Sequence, residues 1–204
     1  MPRETMSAKE RYLAVLKREK PDRLPMDYWA TPEATHRLCE FMRCDFEEVA
    51  RRLHIDKPYG VAGRYVGPPI PQGQDIFGVK TRPVNYGTGI YEELVYSPLA
   101  PYNSVDEIEA NYNWPNPDWW DYSHLKEEAT GLGDKIVVGG GSEPFLRYKL
   151  LRGEQQAFTD LLVNPDIVTY CLDKLFNLAY ENTRRIMETI PGVVNIVYVA
   201  EDLG

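Results

Sequence analysis

The chain has 204 residues, 43% of them hydrophobic and 26% charged, with a formal net charge of −8. That is enough chain for one globular domain with its own core, and the acidic balance argues against a general nucleic-acid or anionic-membrane binder. No window reaches the ~20 apolar residues of a membrane span, residues 1–20 hold no apolar leader core, and Cys39, Cys44 and Cys171 build no disulfide framework, so a reduced cytoplasmic protein is expected.

Residues 5–20 read as a helix. Ser7-Ala8-Lys9-Glu10 has the form of a capping box, and Pro21-Asp22-Arg23 ends the helix. Residues 24–29 read as a short strand, with Pro25 near its start, where a missing N–H does least harm. Thr31-Pro32-Glu33 opens a second helix and Asp45 caps a third. His36, Cys39 and Cys44 lie close together and could suggest a metal. No second Cys/His pair follows at zinc spacing, so small helix-face residues are the better reading.

Residues 55–66 form another strand-and-loop region, and a Gly/Pro-crowded loop follows at 67–73. Residues 77–84 and 90–96 read as a hairpin joined by Asn85-Tyr86-Gly87-Thr88-Gly89. Ser104-Val105-Asp106-Glu107 starts a short helix. The prolines around Trp114, Trp119 and Trp120 exclude regular structure there, and the three indoles suit either a pocket wall or the docking of a long loop on the body. Tyr and Trp are plentiful overall, which fits a pocket for a large, flat, partly polar ligand and equally an ordinary core.

After a helix at 122–130, Lys135-Ile136-Val137-Val138 reads as a buried strand, followed at once by Gly139-Gly140-Gly141-Ser142-Glu143-Pro144. Glycines at a strand end let a ligand or another backbone come close. Gly140 and Gly141 are therefore expected at the mouth of a site with Glu143 facing it. The competing reading is a tight strand-to-helix turn with Glu143 in the first helical turn. Helices at 144–151, 153–163 and 164–190 follow. Residues 193–200 then form an apolar, β-branched run, expected as a strand buried on both faces. It ends on Glu201 and Asp202. In parallel sheets chemistry sits just beyond the strands' carboxyl ends. Helix-linked strands of this kind predict one α/β domain over 1–204, with a hairpin insert at about 76–97.

Several passages resemble the uroporphyrinogen decarboxylase family, and within it the divergent branch near the corrinoid-dependent methyltransferases. Residues 7–16 followed by Lys20-Pro21-Asp22-Arg23-Leu24-Pro25 are similar to the family's first helix and strand. Phe77-Gly78-Val79, Tyr86-Gly87-Thr88-Gly89 and Ser97-Pro98-Leu99-Ala100 are similar to the divergent branch's hairpin insert. Leu151-Arg152-Gly153-Glu154 and Asp160-Leu161-Leu162-Val163-Asn164-Pro165 resemble its middle helices, and Tyr198-Val199-Ala200-Glu201-Asp202-Leu203-Gly204 resembles a strand ending in an acidic site loop.

The resemblance implies a TIM (β/α)8 barrel, of which 204 residues would be the N-terminal part, since a whole barrel takes roughly 250 residues. It implies a methyl-transfer enzyme acting with a corrinoid or another tetrapyrrole, with a small-molecule or tetrapyrrole substrate and a corrinoid protein as partner. Zinc ligands would be expected beyond residue 204, with no metal site in this chain. The alternatives are uroporphyrinogen decarboxylation and a non-catalytic tetrapyrrole-binding module. Where the decarboxylases carry an arginine motif after the first strand, this chain reads Tyr28-Trp29-Ala30-Thr31-Pro32-Glu33. Tyr28 and Trp29 are thus expected at the substrate, in place of an arginine clamp on carboxylates. Asp56 is the nearest match to the decarboxylases' substrate-holding aspartate, and a poor one. Asp202 is the expected catalytic carboxylate, with Glu201 pointing to the opposite side. A helix cap is the alternative role for Asp202. Expressed alone, the chain is expected to be poorly stable or to aggregate, and to be inactive.

Overall fold

The computed structural model describes residues 4–201. Three N-terminal helices come first: α1 (Ala8–Leu16), α2 (Pro32–Met42) and α3 (Phe46–Arg52). Their starts follow the local sequence. Ser7 and Glu10 close a reciprocal capping box on α1, the Thr31 hydroxyl caps α2 ahead of Pro32, and Asp45 accepts from the Glu48 amide at the start of α3. Buried Arg11 locks α1 in place, reaching Asp22 at 2.7 Å and Asp56 at 2.5 Å, while Arg23 takes the other oxygen of Asp56 at 2.5 Å.

The chain continues through β1 (Tyr59–Val61), β2 (Arg64–Tyr65), the hairpin strands β3 (Lys80–Asn85) and β4 (Ile90–Tyr96), α4 (Val105–Asn111) and β5 (Trp120–Asp121). Next come α5 (Leu125–Thr130), β6 (Val137–Ser142), α6 (Pro144–Arg152), α7 (Glu154–Val163), α8 (Pro165–Thr189) and β7 (Ile196–Val199). Strands β1, β6 and β7 form a parallel sheet in that order, and the other four make two antiparallel ribbons. The fold is α/β, and no sheet closes into a barrel among the described residues.

Two cores hold it together. Val61, Val137 and Ile186 join Tyr122, Leu125 and Ile190 between the parallel sheet and helices α5 and α8. The second joins the base of the hairpin to α4, α6, α7 and α8 through Phe77, Leu99, Ile108, Tyr148 and Cys171. All three indoles of the proline-rich loop dock on the body. Trp114 sits edge-on to Tyr112 at 4.9 Å, and Trp119 and Trp120 both meet Tyr65.

Three expectations are corrected. Residues 24–29 form no strand. Pro25 removes one ladder donor. Asp56 then brackets Met26, its amide donating to the Met26 carbonyl at 2.6 Å and its carboxylate accepting from the Met26 amide at 3.0 Å, and no further rung forms. The strand expected to stop before the glycines runs through them to Ser142. Residues 193–200, expected to be buried on both faces, yield a four-residue edge strand. It pairs only with β6 among the described residues, and Val197, Tyr198 and Val199 are 39%, 51% and 62% exposed.

Candidate functional site

The parallel sheet has one covered face and one open face. In register, Gly60 lies opposite Val138 and Val138 opposite Ile196. Side chains alternate along strands, so Val61, Val137 and Gly139 turn toward α8 while Val138, Ile196 and Tyr198 turn the other way. On that second side lies a cavity of about 660 Å3. Its far wall is the extended segment with Asp27, Tyr28 and Trp29, backed by Thr35 of α2 and Phe46 of α3. Tyr28 packs on Phe46 at 4.9 Å and shares a hydrogen bond with Thr35 at 3.1 Å. Trp29 is 88% exposed, an unusual amount of bare indole beside a cleft.

The lining carries one cation and one carboxylate, Lys57 and Asp27. The Lys57 ammonium lies 5.4 Å above the Phe46 ring. Tyr12 also lines the cavity; burial pushes its phenol up, the Asp27 and Asp56 carboxylates push the same way, and it stays a neutral donor. At Gly60 an added Cβ would meet nothing within 4 Å. The missing side chain therefore widens the cleft.

A second cavity, of about 250 Å3, lies on the α8 side at the carboxyl end of β6. Gly141, Ser142, Glu143, Phe77, Arg147 and Asn182 contribute to it. Arg147 pairs with Asp75 at 2.5 Å and lies over Phe77 at 4.8 Å. Glu143 is exposed at the rim and occupies the N-cap position of α6 without a side-chain capping bond.

The sequence-expected site residues are thus divided. Tyr28 and Trp29 stand at the larger cavity, Gly141 and Glu143 at the smaller. The glycines admit protein. A Cβ on Gly140 would lie 2.4 Å from the Thr183 hydroxyl of α8, and one on Gly141 would lie 1.7 Å from the Tyr198 carbonyl oxygen. Their φ angles, +75° and +94°, build a bulge in β6 opposite β7. Asp202 lies outside the described residues. Asp56 is buried and bracketed by Arg11 and Arg23, the position of a structural anion.

Glu201 has a role that sequence reasoning missed. Its carboxylate accepts from the amides of Phe145 at 2.6 Å and Leu146 at 3.1 Å, and so caps α6 from across the sheet. One signal was available: Pro144 opens that helix after Glu143, a residue outside the favoured N-cap set, so its first amides lack a local acceptor. The period-2 alternation that brings Gly60 and Tyr198 to the cavity was also readable, once the pairing was known.

Among the described residues no group of three or more His, Cys, Asp or Glu side chains is placed to hold a metal ion, and His36 instead approaches Glu40 at 3.1 Å. Zinc therefore has no donor set among them. No helix among the described residues is long and apolar enough to cross a membrane. No family model, no curated protein and no solved structure matches the chain.

Proposed function

We propose that this chain is the N-terminal part of an enzyme of the uroporphyrinogen decarboxylase superfamily, a methyl-transfer paralogue acting with a corrinoid or another tetrapyrrole, and that its parallel sheet is an arc of a (β/α)8 barrel. The observation that carries this reading is the aromatic cleft on the face of the sheet opposite α5 and α8. A barrel places its interior on that face. The strand order β1-β6-β7, each strand reached through helices, is consistent with a singly wound arc.

The cleft's chemistry supports a flat, weakly charged ligand. Trp29, Tyr28 and Tyr198 offer aromatic faces, and Gly60 leaves room between them. A richly carboxylated porphyrinogen asks for several guanidinium or ammonium partners, and the lining supplies Lys57 alone, opposed by Asp27. This balance favours methyl transfer over decarboxylation. A bound corrinoid would supply the methyl-carrying centre; the protein's part is to hold the flat ring against Trp29 and to exclude water from the apolar row Val138–Ile196. Asp202 is the carboxylate proposed to accept substrate N–H groups or to offset developing positive charge.

Titrating the protein with hydroxocobalamin and with coproporphyrin tests this. Saturable fluorescence quenching is expected, lost in Trp29→Ala and weakened in Gly60→Val, which fills the cleft floor. Quenching that is the same in Trp29→Ala would overturn the assignment of the cleft. Stepwise release of CO2 from uroporphyrinogen would replace methyl transfer by decarboxylation. In a methyl-transfer assay of the full-length protein, Asp202→Asn should lower turnover about a hundredfold, the scale of losing a charge-stabilising group; survival within about threefold would leave Asp202 a cap.

A further inference from the structure

We propose that the small cavity at the carboxyl end of β6 is a second ligand site, and that its ligand is a small zwitterion, an α-amino acid with an apolar side chain. It lies on the α8 side of the sheet, apart from the aromatic cleft, and does not rest on the assignment of that cleft. Its lining runs from Ile76 to Asn182, so it owes nothing to β7. At about 250 Å3 it falls below the range of about 300–1,000 Å3 that suits drug-sized ligands, so its occupant is small.

Two helices each turn one stripe into the cavity. Glu143 and Arg147 stand one turn apart at the start of α6, and Leu175, Leu178 and Asn182 recur at helical spacing on α8. Three donors are left over there. The Arg147 guanidinium gives Nη1 to Asp75 at 2.5 Å and lies over the Phe77 ring at 4.8 Å. Asp75 is itself held by the amides of Phe77 and Val79, at 2.9 and 3.0 Å. This clamp fixes the guanidinium fork in advance and leaves Nε and Nη2 without a partner among the described residues. The Asn182 amide is oriented by the Tyr122 hydroxyl, which donates to its Oδ1 at 2.9 Å and leaves Nδ2 as the spare donor. The Ser142 hydroxyl, at the end of β6, completes the set. The first amides of α6 do not serve, because the Glu201 carboxylate already takes them.

Charge decides between an anion and a zwitterion. The charge of Arg147 is matched by Asp75, and Glu143 adds a carboxylate at the rim that no cation among the described residues neutralises. A plain anion would meet that carboxylate and be repelled. A molecule with its carboxylate toward Arg147, Asn182 and Ser142 and its ammonium toward Glu143 satisfies both ends. The rest of the wall is apolar, with Phe77, Trp120, Leu175 and Leu178, and so accepts an aliphatic or aromatic side chain.

Isothermal titration of the full-length protein with L-leucine, 4-methylpentanoate and 3-methylbutylamine tests this; the second lacks the ammonium and the third the carboxylate. L-Leucine should bind saturably, and each of the others about tenfold more weakly or worse. Asn182→Asp keeps the acceptor for Tyr122 and turns the spare donor into a carboxylate oxygen. It should abolish leucine binding while the far-UV circular dichroism is unchanged. Glu143→Gln, at an exposed position, should weaken leucine about tenfold and leave 4-methylpentanoate unchanged or tighter, a pattern that loss of folding does not give. No saturable binding of L-leucine up to about 10 mM would overturn the proposal. So would leucine binding that survives Asn182→Asp, that falls together with 4-methylpentanoate binding in Glu143→Gln, or that is lost in Trp29→Ala, which would move it to the cleft.

Discussion

Arg152 and Asp160 are among the most buried side chains in the molecule, 1% and 0% exposed, and they face each other at 2.6 Å. Arg152 also donates to the carbonyls of Leu99 and Tyr102, and Asp160 accepts from Tyr148, Gln156 and Asn164. Burial alone would raise the Asp160 pKa, but the hydrogen bonds from Arg152, Asn164 and Gln156 outweigh it and hold the group at about 2. A carboxylate depressed in this way stabilises the fold above its unfolded pKa, near 4, and loses that contribution as pH falls through its folded value. The loss, about 2 kcal/mol, should show in urea melts between roughly pH 4 and pH 2. Asp160→Asn strands a buried guanidinium charge and should cost about 3 kcal/mol at neutral pH; a smaller slope of stability against pH below 4 in that variant would confirm the source. None of this was legible in the sequence. Asp160 reads there as one acidic residue among many on a helix, because nothing in the local pattern shows that α6 lays Tyr148 and Arg152 against α7.

Among the elements, the helix starts were legible and the strands were less so. Ser7 with Glu10, Thr31 with Pro32, and Asp45 act within a few residues of themselves, so local pattern suffices. The glycines of β6 answer to distant partners. Whether such a glycine admits a ligand or a backbone is decided by Thr183 and by the carbonyl of Tyr198, both far along the chain. Gly141→Ala should therefore break the β6–β7 rungs and cost more than about 3 kcal/mol in a denaturant melt. Gly60→Ala, with open space at its Cβ and no positive φ, should stay within about 0.5 kcal/mol of wild type. Of the cleft, Tyr28 and Trp29 were expected only through the resemblance, as the residues in the slot of the decarboxylases' arginine motif; Lys57, Phe46 and Tyr198 needed the structure. Helix α2 has no buried residue, although it supplies one wall of the cleft. In hydrogen exchange its amides should be replaced well before those of β6 and α8; matching protection would show a tighter wall than the packing implies.

At the scale of the molecule, the sheet carries two opposite kinds of surface, one face packed under α5 and α8 and the other turned to an aromatic cleft. The α/β class followed from helix-linked apolar runs; that β7 pairs on one side only among the described residues did not, because a strand's sequence looks the same whether it is flanked on one side or two. The order of the sheet also bears on the time course of assembly. The ionic knot of Arg11, Asp22, Arg23 and Asp56 closes within the first part of the chain, before any strand of the sheet has been made. Strand β1 finds its neighbour β6 only after the hairpin, α4 and α5 have been laid down, and β7 joins after three more helices. Pairings so distant in sequence carry the largest loop-closure entropy and form late. The cleft draws Tyr12 and Trp29 from the early part of that history and Tyr198 from a later one, so it closes only once β7 has paired with β6, and a nascent chain still short of β7 lacks that wall.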